Sequence, residues 1–112
     1  MDVEPEEAIV VFLTAADRTE ASRLAEVLVE KRLAACVQIV SDIESVYRWQ
    51  GKVERQREVL VIAKTLSLRF AALEREVRAL HSYDTPEIVA VPLLRGSVPY
   101  LEWLSASIRD AE

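Results

Sequence analysis

Residues 8–14, AIVVFLT, form an unbroken apolar run rich in β-branched side chains, which predicts a short buried strand. Asp17, with Glu20 three positions later, then predicts a helix start in the manner of a capping box, Asp standing where Ser or Thr is usual. Ala21, Leu24, Ala25 and Leu28 recur at the i, i+3, i+4, i+7 spacing of one helical face. Lys31 and Arg32 are expected in the last turn, where cations suit the helix dipole. Residues 35–49 predict a long, partly polar strand. Gln50-Gly51 predicts a two-residue hairpin loop, since glycine takes the positive φ such loops need. The return strand, 52–64, ends in the apolar stretch VLVIA. Both strands exceed the usual five or six residues, so the hairpin is expected to project beyond the body of the domain.

Ser67 is the expected N-cap of a second helix. Its stripe is Phe70, Leu73, Val77 and Leu80, with Glu74 and Arg78 paired at i, i+4 outside. The helix should end near His81, because Pro86 bars its continuation. Residues 87–94 predict a fourth strand, and Pro92 places it at a sheet edge. Residues 99–109 predict a short amphipathic helix using Tyr100, Leu101, Leu104 and Ile108, with Pro99 in its first turn.

The order is β-α-β-β-α-β plus a helix, an α+β chain with the split βαβ pattern of ferredoxin-like folds and an antiparallel sheet. Spatial order 4-1-3-2 puts the Pro92 strand and strand 35–49 at the edges. The right-handed crossover rule is read here with strand 1 parallel to strand 53–64. In this fold both helices cover one sheet face, and the other should be polar at alternate positions. It is not. In the first strand Ile9, Val11 and Leu13 take one parity and Val10 and Phe12 the other; in the third, Val59, Val61 and Ala63 alternate with Leu60 and Ile62. Something must cover the second apolar face, and the C-terminal helix is too short to do so alone. The long edge hairpin offers a route to another chain. An obligate homo-oligomer is therefore expected, with the open faces turned inward.

Composition narrows the class. The chain has 112 residues, 14 Lys+Arg and 19 Asp+Glu, for a net charge of −5. Its length fits a single domain over 8–112, preceded by a disordered acidic arm at 1–7. It is 51% hydrophobic and 29% charged, too apolar for disorder. No uncharged run approaches the ~20 residues of a membrane helix. The acidic start, MDVEPEE, argues against a signal peptide. The acidic balance disfavours nucleic acid and anionic membranes as partners. A single cysteine excludes an intramolecular disulfide and a CxxC site. A cytoplasmic domain is the expectation.

Five stretches carry a resemblance to a known family. They are Leu33-Ala34-Ala35-Cys36-Val37, Ser45-Val46-Tyr47-Arg48-Trp49-Gln50-Gly51-Lys52, Lys64-Thr65, His81-Ser82-Tyr83-Asp84-Thr85-Pro86-Glu87-Ile88, and Tyr100-Leu101-Glu102-Trp103-Leu104. In this order and spacing the chain, over about residues 8 to 109, resembles the CutA divalent-cation tolerance proteins. The resemblance implies a ferredoxin-like homotrimer with intertwined hairpins, similar to the PII signalling proteins. It implies a role in tolerance of copper and other divalent metals, with copper or another divalent cation as the ligand and no family-wide reaction. An animal branch is linked to acetylcholinesterase anchoring. In some bacterial members copper is assigned to a cysteine at the end of the first strand and two adjacent histidines after the second helix. Here those positions are Leu13 and Leu80-His81, and the family's usual proline after the histidine is Ser82.

The candidate residues follow. His81, the sole imidazole, is the candidate metal ligand, or else a helix-end histidine favoured by the dipole. Cys36 shares parity with Gln38 and Val40 and is either a soft-metal ligand on the open face or a small buried hydrophobe. Glu87, Tyr83 and His81 could converge on one pocket, with Lys64 bringing a positive charge; the alternative is a hydrogen-bonded cluster fixing a turn. Tyr47 and Trp49 share a hairpin face, as interface anchors or as a lid over a ligand. Two glycines cannot build a phosphate loop, no local Ser-His-Asp signature exists, and an RNA-binding variant of this topology would need an aromatic run and basic charge. The leading expectation is a non-catalytic trimer for metal-ion tolerance. The rivals are a PII-like regulator binding a metabolite at inter-subunit clefts and an enzyme using His81 as acid or base.

Overall fold

A computed structural model describes residues 6–109. The elements are β1 (Ala8–Ala15), α1 (Arg18–Glu30), β2 (Cys36–Trp49), β3 (Lys52–Leu66), a 3₁₀ turn (Ser67–Arg69), α2 (Phe70–Leu80), β4 (Ile88–Pro92) and α3 (Val98–Arg109). The fold is α+β: three helices and a four-stranded antiparallel sheet ordered β2-β3-β1-β4. This is the expected strand order, with β2 and the Pro92 strand at the edges.

One expectation about direction is corrected. β1 runs antiparallel to β3, pairing Ala8 with Leu66 through Ala15 with Val59. The crossover rule concerns the strands each helix joins. Those are β1 with β2 and β3 with β4, and in each pair a third strand lies between the two.

Alternation along the strands builds the core. Ile9, Val11, Leu13 and Ala15 of β1 and Val59, Val61 and Ala63 of β3 pack beneath Ala21, Leu24 and Leu28 of α1 and Leu73 and Val77 of α2. Asp17 caps α1 by accepting the Glu20 amide at 2.9 Å, and Glu20 reaches back to the Ala16 amide at 2.8 Å, closing the capping box one residue early. The helix ends sooner than expected. Lys31 is its C-cap and Arg32 sits beyond it at φ 58, so neither belongs to the last turn. Ser67 does not cap α2 either. It opens the 3₁₀ turn, Arg69 precedes α2 without a side-chain cap bond, and the Ser67 amide donates to the Glu7 carbonyl at 2.8 Å. That bond ties down the end of the expected acidic arm; residues 1–5 of the arm lie outside the described residues.

The other sheet face carries Val10 and Phe12 of β1, Leu60 and Ile62 of β3, Val40 of β2, and Val89 and Val91 of β4, all registered side by side. α3 covers one end, where Leu104 and Ile108 pack with Leu66, Ala8 and Ala35. Arg32 and Arg69 donate to the Ser107 and Ile108 carbonyls at the end of that helix. The rest stays open: Val40, Val89 and Val91 are each 44–50% exposed.

β2 and β3 outrun the sheet. β1 meets β3 only from Val59 onward, so residues 43–49 and 52–58 form a free ribbon. Gln50 and Gly51 turn it at φ 50 and 80, the pair of positive values a two-residue turn of the I′ type needs. A radius of gyration of 14.6 Å records the overhang; a compact chain of this length has about 13 Å.

Candidate functional site

A concavity of 610 Å³ opens where the ribbon leaves the sheet. It is made by the end of β1, the base of the hairpin and the loop between α2 and β4.

The hairpin's contribution depends on a bulge. Val40 pairs with Leu60, but the next pair is Ile43 with Glu58, so β2 carries one residue more than β3. Asp42 takes φ 61, a left-handed conformation to which Asp is better suited than most residues. The extra residue reverses strand parity. Cys36, Gln38 and Val40 face the open side before it, and Ile43, Ser45, Tyr47 and Trp49 do so after it. Tyr47 and Trp49 do share one hairpin face, as expected, and it is the open face of the sheet.

Glu58 is the fixed point of the cavity. It is 7% exposed, and its two oxygens accept from Ser45 Oγ at 2.5 Å and Tyr83 Oη at 2.8 Å. Gln56 Nε2 donates to the same Tyr83 oxygen at 3.1 Å, and Tyr47 Oη donates to Gln56 Oε1 at 2.7 Å. Burial, and then the bond and charge of Glu58, push the Tyr83 phenol far above its usual value, so it remains a proton donor.

His81 holds the loop that delivers Tyr83. Its side chain is fully buried. Nε2 lies 2.7 Å from the Thr14 carbonyl, and Nδ1 lies 3.0 Å from the Tyr83 amide. A carbonyl can only accept and an amide can only donate. The pair therefore fixes the tautomer with the proton on Nε2 and the lone pair on Nδ1. A metal at Nδ1 would have to displace the Tyr83 amide. The ring also packs on Tyr83, centroids 4.6 Å apart. Glu20 completes the anchor, accepting the Ser82 amide at 2.6 Å. Burial works to raise the Glu20 carboxyl, but the bonds from Ala16 and Ser82, with His81 beside it, outweigh burial and leave it below its ordinary range.

Of the residues singled out in the sequence, Tyr83, Glu87, Tyr47 and Trp49 meet on this cavity, with His81 behind its wall. Lys64 and Cys36 do not. They pair across the β2–β3 ladder near the opposite end of the sheet, where Lys64 donates to Gln38 at 2.8 Å. Six residues along β3 separate Lys64 from Glu58, about 20 Å at strand rise. Cys36 is half-buried; burial first, and then the nearby Cys36, raise the Tyr100 phenol above its ordinary value. Sequence reading missed Glu58, Ser45, Gln56 and Thr14. A Glu at the head of the apolar VLVIA run was the available signal, but its meaning needed the bulge.

The comparisons place this geometry among known proteins. The family model described as "CutA1 divalent ion tolerance protein" matches residues 9–107. The chain is 45% identical over 104 residues to "Protein CutA 1, chloroplastic" of Oryza sativa, covering 93% of the chain and 59% of that protein. It is 47% identical over 95 residues to the "Divalent-cation tolerance protein CutA" of Thermus thermophilus, covering 85% and 92%. The chain thus spans under two thirds of the plant relative's length and nearly all of the bacterial one's. The crystal structure of CutA1 from Oryza sativa superposes with a TM-score of 0.90 at 45% identity, covering 94% of this chain and 96% of that one.

Proposed function

The chain belongs to the CutA1 divalent ion tolerance protein family, and from that premise we propose that it works as a ferredoxin-like, PII-like homotrimer that serves divalent metal ion tolerance by binding a cation or small ligand without catalysis. One observation carries this reading: a single sheet face holds both an uncovered apolar surface and a ligand-sized acidic cavity. The apolar part suits neighbouring copies, and the cavity stands at its border.

The reading shapes where a metal would sit. Among the described residues no three of His, Cys, Asp and Glu come close enough to hold an ion. A site for copper or another divalent cation is therefore shared between copies. Cys36 is the donor best placed for sharing, since it lies on the open face, whereas His81 joins only by giving up its bond to Tyr83 or to Thr14. A PII-like regulator is the second reading, favoured by a cavity within the ~300–1,000 Å³ of small-molecule sites. Cytoplasmic residence is part of the proposal; no described helix is long and apolar enough to cross a membrane, and the rice relative is named chloroplastic.

Native mass spectrometry of the untreated protein and of protein loaded with copper tests the reading. The expected result is three chains, with one copper per trimer. A monomer at micromolar concentration, or one tightly held copper per chain, would overturn it.

A further inference from the structure

The cavity at the hairpin root has charge of one sign. Glu58, Asp84 and Glu87 lie on its wall, and no Lys, Arg or His is among the described residues lining it. Glu58 is held by hydroxyl donors, Ser45 and Tyr83, which orient a carboxylate without neutralising it. An anionic ligand would meet repulsion from every charged group lining this wall.

The remaining wall is aromatic. Tyr47, Trp49 and Tyr83 line the same cavity, and ring faces attract cations, ammonium groups included. Trp49 is 55% exposed in the single chain, which leaves its ring for a ligand at the cavity mouth or for a neighbouring copy beside it. The three carboxylates are too dispersed to chelate one ion, and the 610 Å³ volume suits a molecule better than a bare metal. A ligand that distributes its charge can meet more than one of them. Glu58 sits deep, while Asp84 and Glu87 are exposed at the loop.

We propose that this pocket binds a small organic polycation of the aliphatic di- or polyamine class, one ammonium group directed at Glu58 and a second at Asp84 and Glu87, with the methylene chain against the aromatic wall. The inference rests on reading the hairpin-root cavity as the ligand site and names the ligand class it takes.

Calorimetric titration of the full-length protein, in its native assembly, tests this with probes of equal length. 1,4-Diaminobutane carries two positive charges, 1,4-butanediol none, and succinate two negative ones. Saturable binding of the diamine alone is expected. It should weaken as salt rises from about 0.02 to about 0.2 M, where screening shortens the reach of surface charge. The double variant Asp84→Asn with Glu87→Gln should weaken it roughly fivefold or more while leaving the thermal midpoint of the free protein unchanged, because both side chains are exposed. Succinate binding more tightly than the diamine, or diamine binding indifferent to the double variant, would overturn the amine assignment and leave a ligand site standing. Silence from all three probes would remove the ligand-site reading as well.

Discussion

Replacing His81 by phenylalanine should destabilise the protein by roughly 2–4 kcal/mol. The ring is fully buried and makes two hydrogen bonds, to the Thr14 carbonyl at 2.7 Å and from the Tyr83 amide at 3.0 Å. Phenylalanine fills the same space, so the cavity contribution is small and the loss is polar. Thr14 is 6% exposed, so its orphaned carbonyl has poor access to water. Leaving such a group unpaired costs ~1–3 kcal/mol, and the half-buried Tyr83 amide adds about 1 kcal/mol.

A second variant separates the two bonds. Glutamine places an amide N–H near the position of Nε2, so His81→Gln keeps the bond to Thr14 and loses the one from Tyr83. Its expected cost is about 1 kcal/mol. Urea denaturation at neutral pH and one fixed protein concentration measures both, the concentration being held because assembly shifts apparent stability. Copper titration of the same variants adds a readout that stability alone does not move. A positioning ring predicts that His81→Gln retains copper binding. A cost for His81→Phe under about 0.5 kcal/mol would refute the idea that this ring anchors the loop.

Three further outcomes are expected. Glu20 has a folded pKa below its ordinary 4.5, so its stabilising contribution is complete above that value and disappears as pH falls through the lower one; stability should drop below about pH 4.5, and Glu20→Gln should flatten that acid limb in a denaturation series. Trp49→Ala should weaken the proposed trimer by ~2 kcal/mol or more, seen by light scattering on dilution, and an unchanged assembly would show that the ring is merely exposed. Asp42→Val should cost ~1–2 kcal/mol by forcing a β-branched residue to φ 61, while Asp42→Gly should be nearly neutral; equal denaturation midpoints for the two would count against a rigid bulge.

Periodicity reveals the elements because burial imposes it directly. Leu73 and Val77 of α2, Leu24 and Leu28 of α1, and the alternation of β1 were all legible, as was the turn at Gln50-Gly51. What failed was local and polar. Lys31 and Arg32 resembled a last turn, but the chain leaves α1 through a left-handed Arg32, a conformation that charge does not report. Ser67 resembled a cap, but a 3₁₀ turn intervenes before α2. Lys64 was grouped with Glu87 because both sit at strand ends; register sets Lys64 beside Val10 and Glu87 beyond Leu13, toward opposite ends of β1.

The bulge at Asp42 is the largest of these omissions, and it governs the site. Counting strictly by twos from Cys36 would turn Ser45, Tyr47 and Trp49 toward the helix side, away from Glu58. One extra residue turns them back. Ser45 can then reach Glu58, Tyr47 can reach Gln56, and Trp49 joins the wall of a cavity bordered by the apolar open face. The same residue therefore decides two things that the sequence presents as separate: which face the hairpin offers to another copy, and which side chains surround the carboxylate. Loss of register at Asp42 should disturb assembly and ligand binding together, whereas loss of Asp84 and Glu87 should disturb ligand binding alone.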